Sequence, residues 1–551
     1  MKLSTVSLAR ATSRHPWRAV AAWILTVLLS MVVVALFLGD ALTSDADVTT
    51  ETDSKRANQL LIERFPTDSD EESSEIVVVA VEQGTIDDPA VQKRVGQLAQ
   101  EIRRAGASNV VTFYESGNER LASPDRKATG LLVGLGASAE DDVQGVADAV
   151  QRLDAEPGYE AGVTGEFTSD ADFEKLSQDD LRTGELFFGA PAALIILLLV
   201  FGAVVAGLVP LVMAVLSILV AIALTALVGQ AWELSLFVVN MIFGMGLALG
   251  IDYSLFILSR FREERAGGRA KLDAIAASSA TASRAVLFSG AAYVLAMCGL
   301  LLVPNTIMRS LAAGAILVGI VSVAAALTLL PAVLSLLGDR VNSLRIPFFG
   351  RATAGAESRF WGRVVRAVMR RPLASLAAAI ALLLAAAAPV LALETGSSGI
   401  STLPDRFESK QGFLLLNEKF PGETVDPVQI VVDGDSESPQ VRAGVERLDA
   451  ALARREIFGE PTLETSPGRD LAVLTVPIKG DALSKEAVAA VRGLRDDVVP
   501  RAFPSLDAQA FVTGDTSEEI DYYDVMDSWL PIVFAFVLGL SFLLLTVAFR
   551  S

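Results

Sequence analysis

Asp252 is the one acidic residue inside a stretch long enough to cross a bilayer, in NMIFGMGLALGIDYSLFILSRFREE (residues 240–264). The first cation after it, Arg260, is about 12 Å further along a helix that rises 1.5 Å per residue, so Asp252 falls near the midplane of the hydrocarbon. A charged side chain there costs about 3 kcal/mol on insertion scales. Such an acid is expected to face protein and to be paired or protonated, which suits it to bind a proton from one side of a membrane and release it to the other. Tyr253 follows directly and is turned by about 100° on a helix, so the two side chains address different neighbours. Asn240, Gly244, Ala248 and Asp252 recur every four residues, with Phe256 one turn further on. They form a small and polar stripe along which another helix can come close. Gly246 and Gly250 add a GxxxG pair, which by itself signals tight helix packing. Ser289, in RAVLFSGAAY, is a polar neighbour on the following apolar stretch.

Other chemistries lack their residues. One cysteine, Cys298, within YVLAMCGLLLV, and one histidine, His15, exclude a disulfide framework, cysteine-based zinc sites and histidine-rich metal sites. No GxxxxGK[ST] loop is present to hold ATP phosphates, and no cofactor is expected. An intramembrane aspartyl protease needs two acids sharing a proton, and only Asp252 is available. Ser-His-Asp catalysis fails because His15 stands before the first apolar stretch. The residues thus give no support to an enzyme reading.

The elements that hold Asp252 are membrane helices. The 551 residues are 52% hydrophobic with a mean hydropathy of +0.47, too apolar for a soluble protein and unlike a disordered or nucleic-acid-binding one. Eight stretches reach the ~20 apolar residues a bilayer requires: 19–38, then 186–205, 208–228, 236–258, 285–303 and 310–336 (the second to sixth spans, within 186–336), then 374–393 and 529–549. The first is preceded by Arg10, Arg14 and Arg18, but it is about twice the length of a signal-peptide core and reads as an uncleaved span.

Basic residues fix the orientation. Residues 1–18 carry Lys2 and three Arg with no acid; 259–284 carry six basic residues against three acids; the basic, amphipathic linker 337–373 carries eight Arg against Asp339 and Glu357. These segments are expected in the cytoplasm, leaving 39–185 and 394–528 on the other face of the membrane. Those two segments hold 58 of the 65 acids, so the net charge of −19 is a property of two exposed domains. Within the linker, ESRFWGRVVRAVMRRP sets Phe360, Trp361, Val364, Val365, Val368 and Met369 against Arg359, Arg363, Arg366 and Arg370, the pattern of a helix lying on an anionic leaflet.

Both exposed segments alternate strands and helices. In the first, SSEIVVVAV, NVVTFY, KATGLLVGLG and YEAGVTG read as strands, with PAVQKRVGQLAQEIRRAG and EDDVQGVADAVQRLD as helices. The order βαββαβ is ferredoxin-like. The second segment repeats it: DPVQIVVDG, PQVRAGVERLDAALARR, PTLETSPG, DLAVLTVPIKG, KEAVAAVRGLRDDVV and LDAQAFVTGD. RHPWRAVAAWIL matches RRPLASLAAAIA, ERFP (63–66) matches EKFP (418–421), and VTGEFTSDADF (163–173) matches VTGDTSEEIDY (512–522), at offsets of 356, 355 and 349 residues. The fold class is therefore an α-helical polytopic membrane protein with two ferredoxin-like extracytoplasmic α/β domains. It is an internal duplication whose second repeat stops after its second helix, and the chain reads as a fragment of a two-times-six-helix body.

GMGLALGIDYSLFILSRFREE followed by TASRAVLFSGAAY resembles the fourth and fifth helices of the MMPL (mycobacterial membrane protein large) family in the resistance-nodulation-division superfamily, and the likeness extends over the whole chain. The resemblance implies proton-driven export of lipids, glycolipids or other hydrophobic compounds. It also implies that Asp252 and Tyr253 form half of a proton relay whose other Asp-Tyr pair lies on the tenth helix, near residue 600. Partners on this reading are membrane lipids, a lipidic substrate, protons and the missing C-terminal helices; nucleic acid is not one. Without those helices the 551-residue chain is expected not to transport. A protein-translocation accessory factor of the same superfamily is the alternative, which the RFREE string disfavours, and the oligomeric state is open, a homo-oligomer included. The topology predicts that, in a Cys298→Ala background, Ala90→Cys and Gly444→Cys react with a membrane-impermeant thiol reagent added to intact cells; protection at both positions would reverse the orientation.

Overall fold

The computed structural model describes residues 5–43, 48–65, 75–135, 139–232, 234–345, 359–392, 400–420, 427–479, 482–504 and 509–549. Lys2, Pro66, Ser73, Pro421, linker residues 346–358 and Ser551, all used in the sequence reading, lie outside them. The chain divides into two compact units: Met1–Thr49 with Ser177–Glu394 and Asp527–Ser551, and Thr50–Leu176 with Thr395–Met526.

In the second unit, strands β1 (Glu75–Val81), β2 (Asn109–Thr112), β3 (Ala128–Gly134) and β4 (Tyr159–Gly165) form an antiparallel sheet in the order β2-β3-β1-β4. Strands β5 (Val428–Asp433), β6 (Thr462–Thr465), β7 (Leu471–Val476) and β8 (Gln509–Thr513) form another in the order β8-β5-β7-β6. Counted within its own segment, each sheet runs 2-3-1-4. The central strand β1 is apolar almost without interruption because both its faces are covered. Val77 and Val79 meet Val95, Leu98 and Ile102 of the helix Pro89–Arg104. Ile76, Val78 and Ala80 meet Leu415, Leu416 and Phe420, contributed by the helix Glu408–Lys419 and the residue after it.

That second cover comes from the other segment, and the exchange is mutual. Val431, Leu471 and Val473 of the second sheet pack on Ala57 and Leu60 of the helix Asp53–Arg64. Neither covering helix was read from the sequence: each is a short amphipathic stretch that precedes the strand pattern of its own segment. Each is held at its N-terminus by a buried carboxylate of the other segment. The backbone N–H and Oγ of Ser409 donate to Asp172 Oδ2 at 2.9 and 2.8 Å, and those of Ser54 donate to Asp521 Oδ2 at 3.1 and 2.5 Å. A negative charge at a helix N-terminus satisfies free N–H groups and complements the helix dipole. The remaining oxygen of each acid meets a cation, Lys175 at 3.4 Å and Arg495 at 2.7 Å. Gly162 and Gly412 let β4 and the covering helix touch backbone to backbone; a Cβ on Gly412 would lie 2.2 Å from the Val163 carbonyl oxygen.

In the first unit all eight apolar stretches are helical, and the chain is a multi-pass membrane protein. The candidate spans are Pro16–Phe37, Glu166–Phe201, Val204–Gly229, Phe237–Ala266, Lys271–Leu302, Thr306–Asn342, Pro372–Ala392 and Asp515–Val547. Several helices outrun the predicted apolar windows because hydrogen bonding continues into polar sequence. The second span, expected over 186–205, stops at Phe201, where Gly202 takes a left-handed conformation (φ 61°) and caps it. It also contains a π-helical stretch, Leu181–Gly189. The linker helix forms as Arg359–Arg370, with Val365, Val368 and Met369 exposed. Spans three to six make the core, whereas the most apolar stretches of the seventh and eighth contain no fully buried residue.

The fourth span is wedged in through glycine. A Cβ on Gly250 would lie 2.5 Å from Ala214 Cα of the third span, and one on Gly246 would lie 2.4 Å from Ile218 Cγ1 and 2.9 Å from Val318 Cγ2 of the sixth. Gly250→Ala must therefore push backbone against backbone; a loss of about 1–3 kcal/mol is expected for such overpacking, read as a lowered unfolding midpoint in detergent, while Ala248→Ser, on the exposed side, should leave the midpoint unchanged.

Two further outcomes follow for the second unit. Gly444 is buried, and a Cβ there would lie 2.2 Å from Phe503 Cε1, so the thiol probe of topology belongs at the exposed neighbour Ala443. Glu75, at the start of β1, is fully buried; its Oε1 accepts from the backbone N–H of Phe167 at 2.7 Å and of Thr168 at 3.3 Å, and its Oε2 from Thr168 Oγ1. Burial pushes its carboxyl up from 4.5 to about 7, and the hydrogen bonds oppose this only in part. The folded chain thus holds this proton more tightly than the unfolded chain. The contribution to stability is complete below about pH 4.5 and is lost as pH rises through about 7. Glu75→Gln should flatten that part of the profile of unfolding midpoint against pH; an unchanged slope would show that Glu75 does not set it.

Candidate functional site

The fourth span, Phe237–Ala266, presents two unlike faces. Gly246, Gly250, Tyr253, Ile257, Leu258 and Phe261 are buried among the third, fifth and sixth spans. On the other side Ala248, Asp252 and Phe256 are exposed, while Asn240 and Gly244 are half-buried. Of the two small-residue motifs seen in the sequence, the GxxxG pair makes the packing contact and the Asn-Gly-Ala-Asp stripe stays open. Asp252 was expected to face protein; it lies on the open stripe, and it makes no hydrogen bond or ion pair among the described residues. The 100° step between adjacent helical residues turns Tyr253 into the interior, where only 6% of it is exposed.

Tyr253 reaches the fifth span, Lys271–Leu302. Its hydroxyl lies 3.5 Å from where a Cβ of Gly290 would stand, and that same Cβ would lie 2.2 Å from Val323 Cγ2 of the sixth span. Ser289 stands beside it but closes no well-aligned hydrogen bond, which leaves the Tyr253 hydroxyl buried without one. A second phenol, Tyr293, one turn beyond Ser289, lies with its ring against Gly319 of the sixth span, 2.7 Å from an ideal Cβ there, and its hydroxyl is likewise unpaired. The sequence reading stopped short of Tyr293, although it closes the quoted RAVLFSGAAY; a phenol at i+4 from a polar residue was the available signal.

The upper part of the stripe is touched by the second span. Asn240 Nδ2 donates to Ser177 Oγ at 2.8 Å, and Glu185 Oε1 lies 3.4 Å from an ideal Cβ on Gly244. Neither Ser177 nor Glu185 was singled out beforehand, because the apolar window of that span opens only at residue 186. The arrangement therefore joins Asp252, Tyr253 and Ser289 at one level of the bundle, with Asn240 and Gly244 two to three turns away along the same helix. A carboxyl on an open polar stripe, next to a phenol held inside, can bind and release protons and hand hydrogen bonds to the interior. Among the described residues no group of three His, Cys, Asp or Glu side chains is placed to hold a metal ion.

Comparison with known proteins bears on the family of the chain. The MMPL family matches residues 47–375. The chain is 30% identical to the mycolic acid-containing lipids exporter MmpL11 of Mycolicibacterium smegmatis over 99% of its own length and 57% of that protein. It is 30% identical to the Streptomyces coelicolor membrane protein SCO6666 over 95% of its length and 71% of that protein. To the heme uptake protein MmpL11 of Mycobacterium tuberculosis strain H37Rv it is 31% identical over 66% of its length and 38% of that protein. The chain thus spans a little over half of the mycolic-lipid exporter. By the family match and by these relatives, the chain belongs to the MMPL family.

Proposed function

We propose that the protein to which this chain belongs is a secondary transporter that exports lipids or other large amphipathic compounds across a bacterial inner membrane, driven by protons that Asp252 binds and releases. The observation that carries the reading is the position of Asp252: a carboxyl near the midplane of a membrane helix, on an open stripe of small residues, with Tyr253 turned inward beside it. One charge moved through 100 mV releases about 2.3 kcal/mol, which a carboxyl reached alternately from each face can capture. On this reading the N-terminus is cytoplasmic, the two α/β segments are ferredoxin-like domains on the opposite side, and their shared strand order reflects an internal duplication. The open stripe then receives the counterpart helix of a second half, with an Asp-Tyr pair of its own. The spare surface of the seventh and eighth spans supports that assembly.

The relatives' names give two cargoes, mycolic acid-containing lipids and heme. Both are large and mainly apolar, and the lipid reading rests on the relative that is matched over nearly the whole chain. In the full-length protein, Asp252→Asn keeps the side-chain shape and removes the titration. Lipid export into acceptor vesicles under a proton gradient should vanish while membrane insertion and unfolding midpoint stay at the parental level. Tyr253→Phe should impair export without abolishing it. Export by the Asp252→Asn protein at the parental rate would remove Asp252 from the mechanism.

A further inference from the structure

Besides Asp252, one carboxylate among the described residues lies against the open stripe of the fourth span: that of Glu185, from the second. It is held in a notch between two glycines. Its Oε1 is 3.4 Å from an ideal Cβ on Gly244 of the fourth span, and its Oε2 is 3.3 Å from one on Gly189 of its own helix. A side chain at Gly189 would crowd the carboxylate, and one at Gly244 would stand in contact with it. Glu185 is half-buried, and its carboxylate makes no hydrogen bond or ion pair among the described residues. Its own helix carries Asp179, Asp180 and Arg182 in the two turns before it, and Arg182 does not pair with it; the fourth span offers Asn240, bonded to Ser177, and Asp252. An acid pressed on an apolar helix adds less to packing than a Leu would.

The backbone around it is unusual as well. Leu181–Gly189 is π-helical, a geometry that is rare and concentrated at functional sites. Gly244 and Asp252 are two helical turns apart, about 12 Å along the axis, and only Ala248 stands between them on the stripe. Small side chains there leave width for water beside the helix. The 349-residue offset that aligns VTGEFTSDADF with VTGDTSEEIDY sets Phe534 opposite Glu185, so the fold does not demand an acid at this position.

We propose that Glu185 delivers protons to Asp252 along this stripe from the end of the fourth span that carries Asn240, a refinement that rests on the function proposed above. The Glu185 carboxylate takes a proton from water at that end and passes it to water lying along Gly244 and Ala248. Asp252 receives a proton from the near end of that water, and Glu185 returns to its carboxylate form. Glu185 is then a positioning and relay residue for proton uptake, and the affinity for lipid cargo does not depend on it.

The test uses the full-length protein in right-side-out membrane vesicles with the two faces clamped at different pH. Dicyclohexylcarbodiimide, which modifies protonated carboxyls in apolar surroundings, is added, and the peptides carrying residues 185 and 252 are read separately by mass spectrometry. Acidifying the outer face alone should raise labelling at Asp252 several-fold in the parent. In Glu185→Gln, which keeps size and packing, and in Glu185→Ala, the same acidification should change it by a factor near one, and Glu185→Asp should restore most of the response. A merely structural role for Glu185 predicts the parental response in Glu185→Gln, and that outcome would overturn the proposal while leaving Asp252 in place. If labelling at Asp252 in the parent followed the pH of neither face, Asp252 would not be a titrating relay group, and the function proposed above would fall together with this refinement.

Discussion

Close approach through glycine is the interaction on which the membrane bundle depends. Lipid tails are as apolar as leucine, so burial of apolar surface does not draw helices together inside a bilayer, and packing contact has to. Gly246 and Gly250 bring the fourth span against Ala214, Ile218 and Val318 at distances no other residue permits. That contact fixes the rotation of the helix about its own axis. Once Gly250 faces the third span, Asp252 must point to the open side and Tyr253 toward the fifth span. The Asp252–Tyr253 pair is oriented by residues that carry no chemistry.

The second unit depends on a different constraint. A four-stranded sheet with two short helices covers one face and leaves the other bare, and here each bare face is covered by a helix from the other segment. The paired contacts of Asp172 with Ser409 and Asp521 with Ser54 are buried and charge-assisted, so removing one partner leaves an unsatisfied buried group. The result is one unit with two sheets, each covered on its second face by a helix of the other segment.

Much of this was legible in the sequence, and the parts that were not share a cause. Period and length located the eight membrane helices and the strands of both sheets, since apolar runs of ~20 residues and alternating strand patterns are strong signals. The Asp252–Tyr253 pair stood out because an acid is costly in hydrocarbon. What could not be read was set by contacts between distant residues. The helices Asp53–Arg64 and Glu408–Lys419 have ordinary amphipathic sequences, and nothing local says that each belongs to the other segment's sheet. Glu185 fell one residue outside an apolar window, and its proximity to Gly244 exists only in three dimensions. Which of the two small-residue motifs on the fourth span would pack and which would stay open also depended on neighbours that periodicity does not name.

The exchanged helices impose an order on synthesis. Strand β1 is complete at Val81, but the side chains that cover Ile76, Val78 and Ala80 arrive only with Leu415, Leu416 and Phe420. At about 5–20 residues per second, the first sheet waits on the order of tens of seconds with one apolar face uncovered while the intervening helices are made and inserted. An open sheet face of this kind invites pairing with other chains. The nascent protein therefore passes through an interval in which one apolar face of its first sheet has no partner of its own.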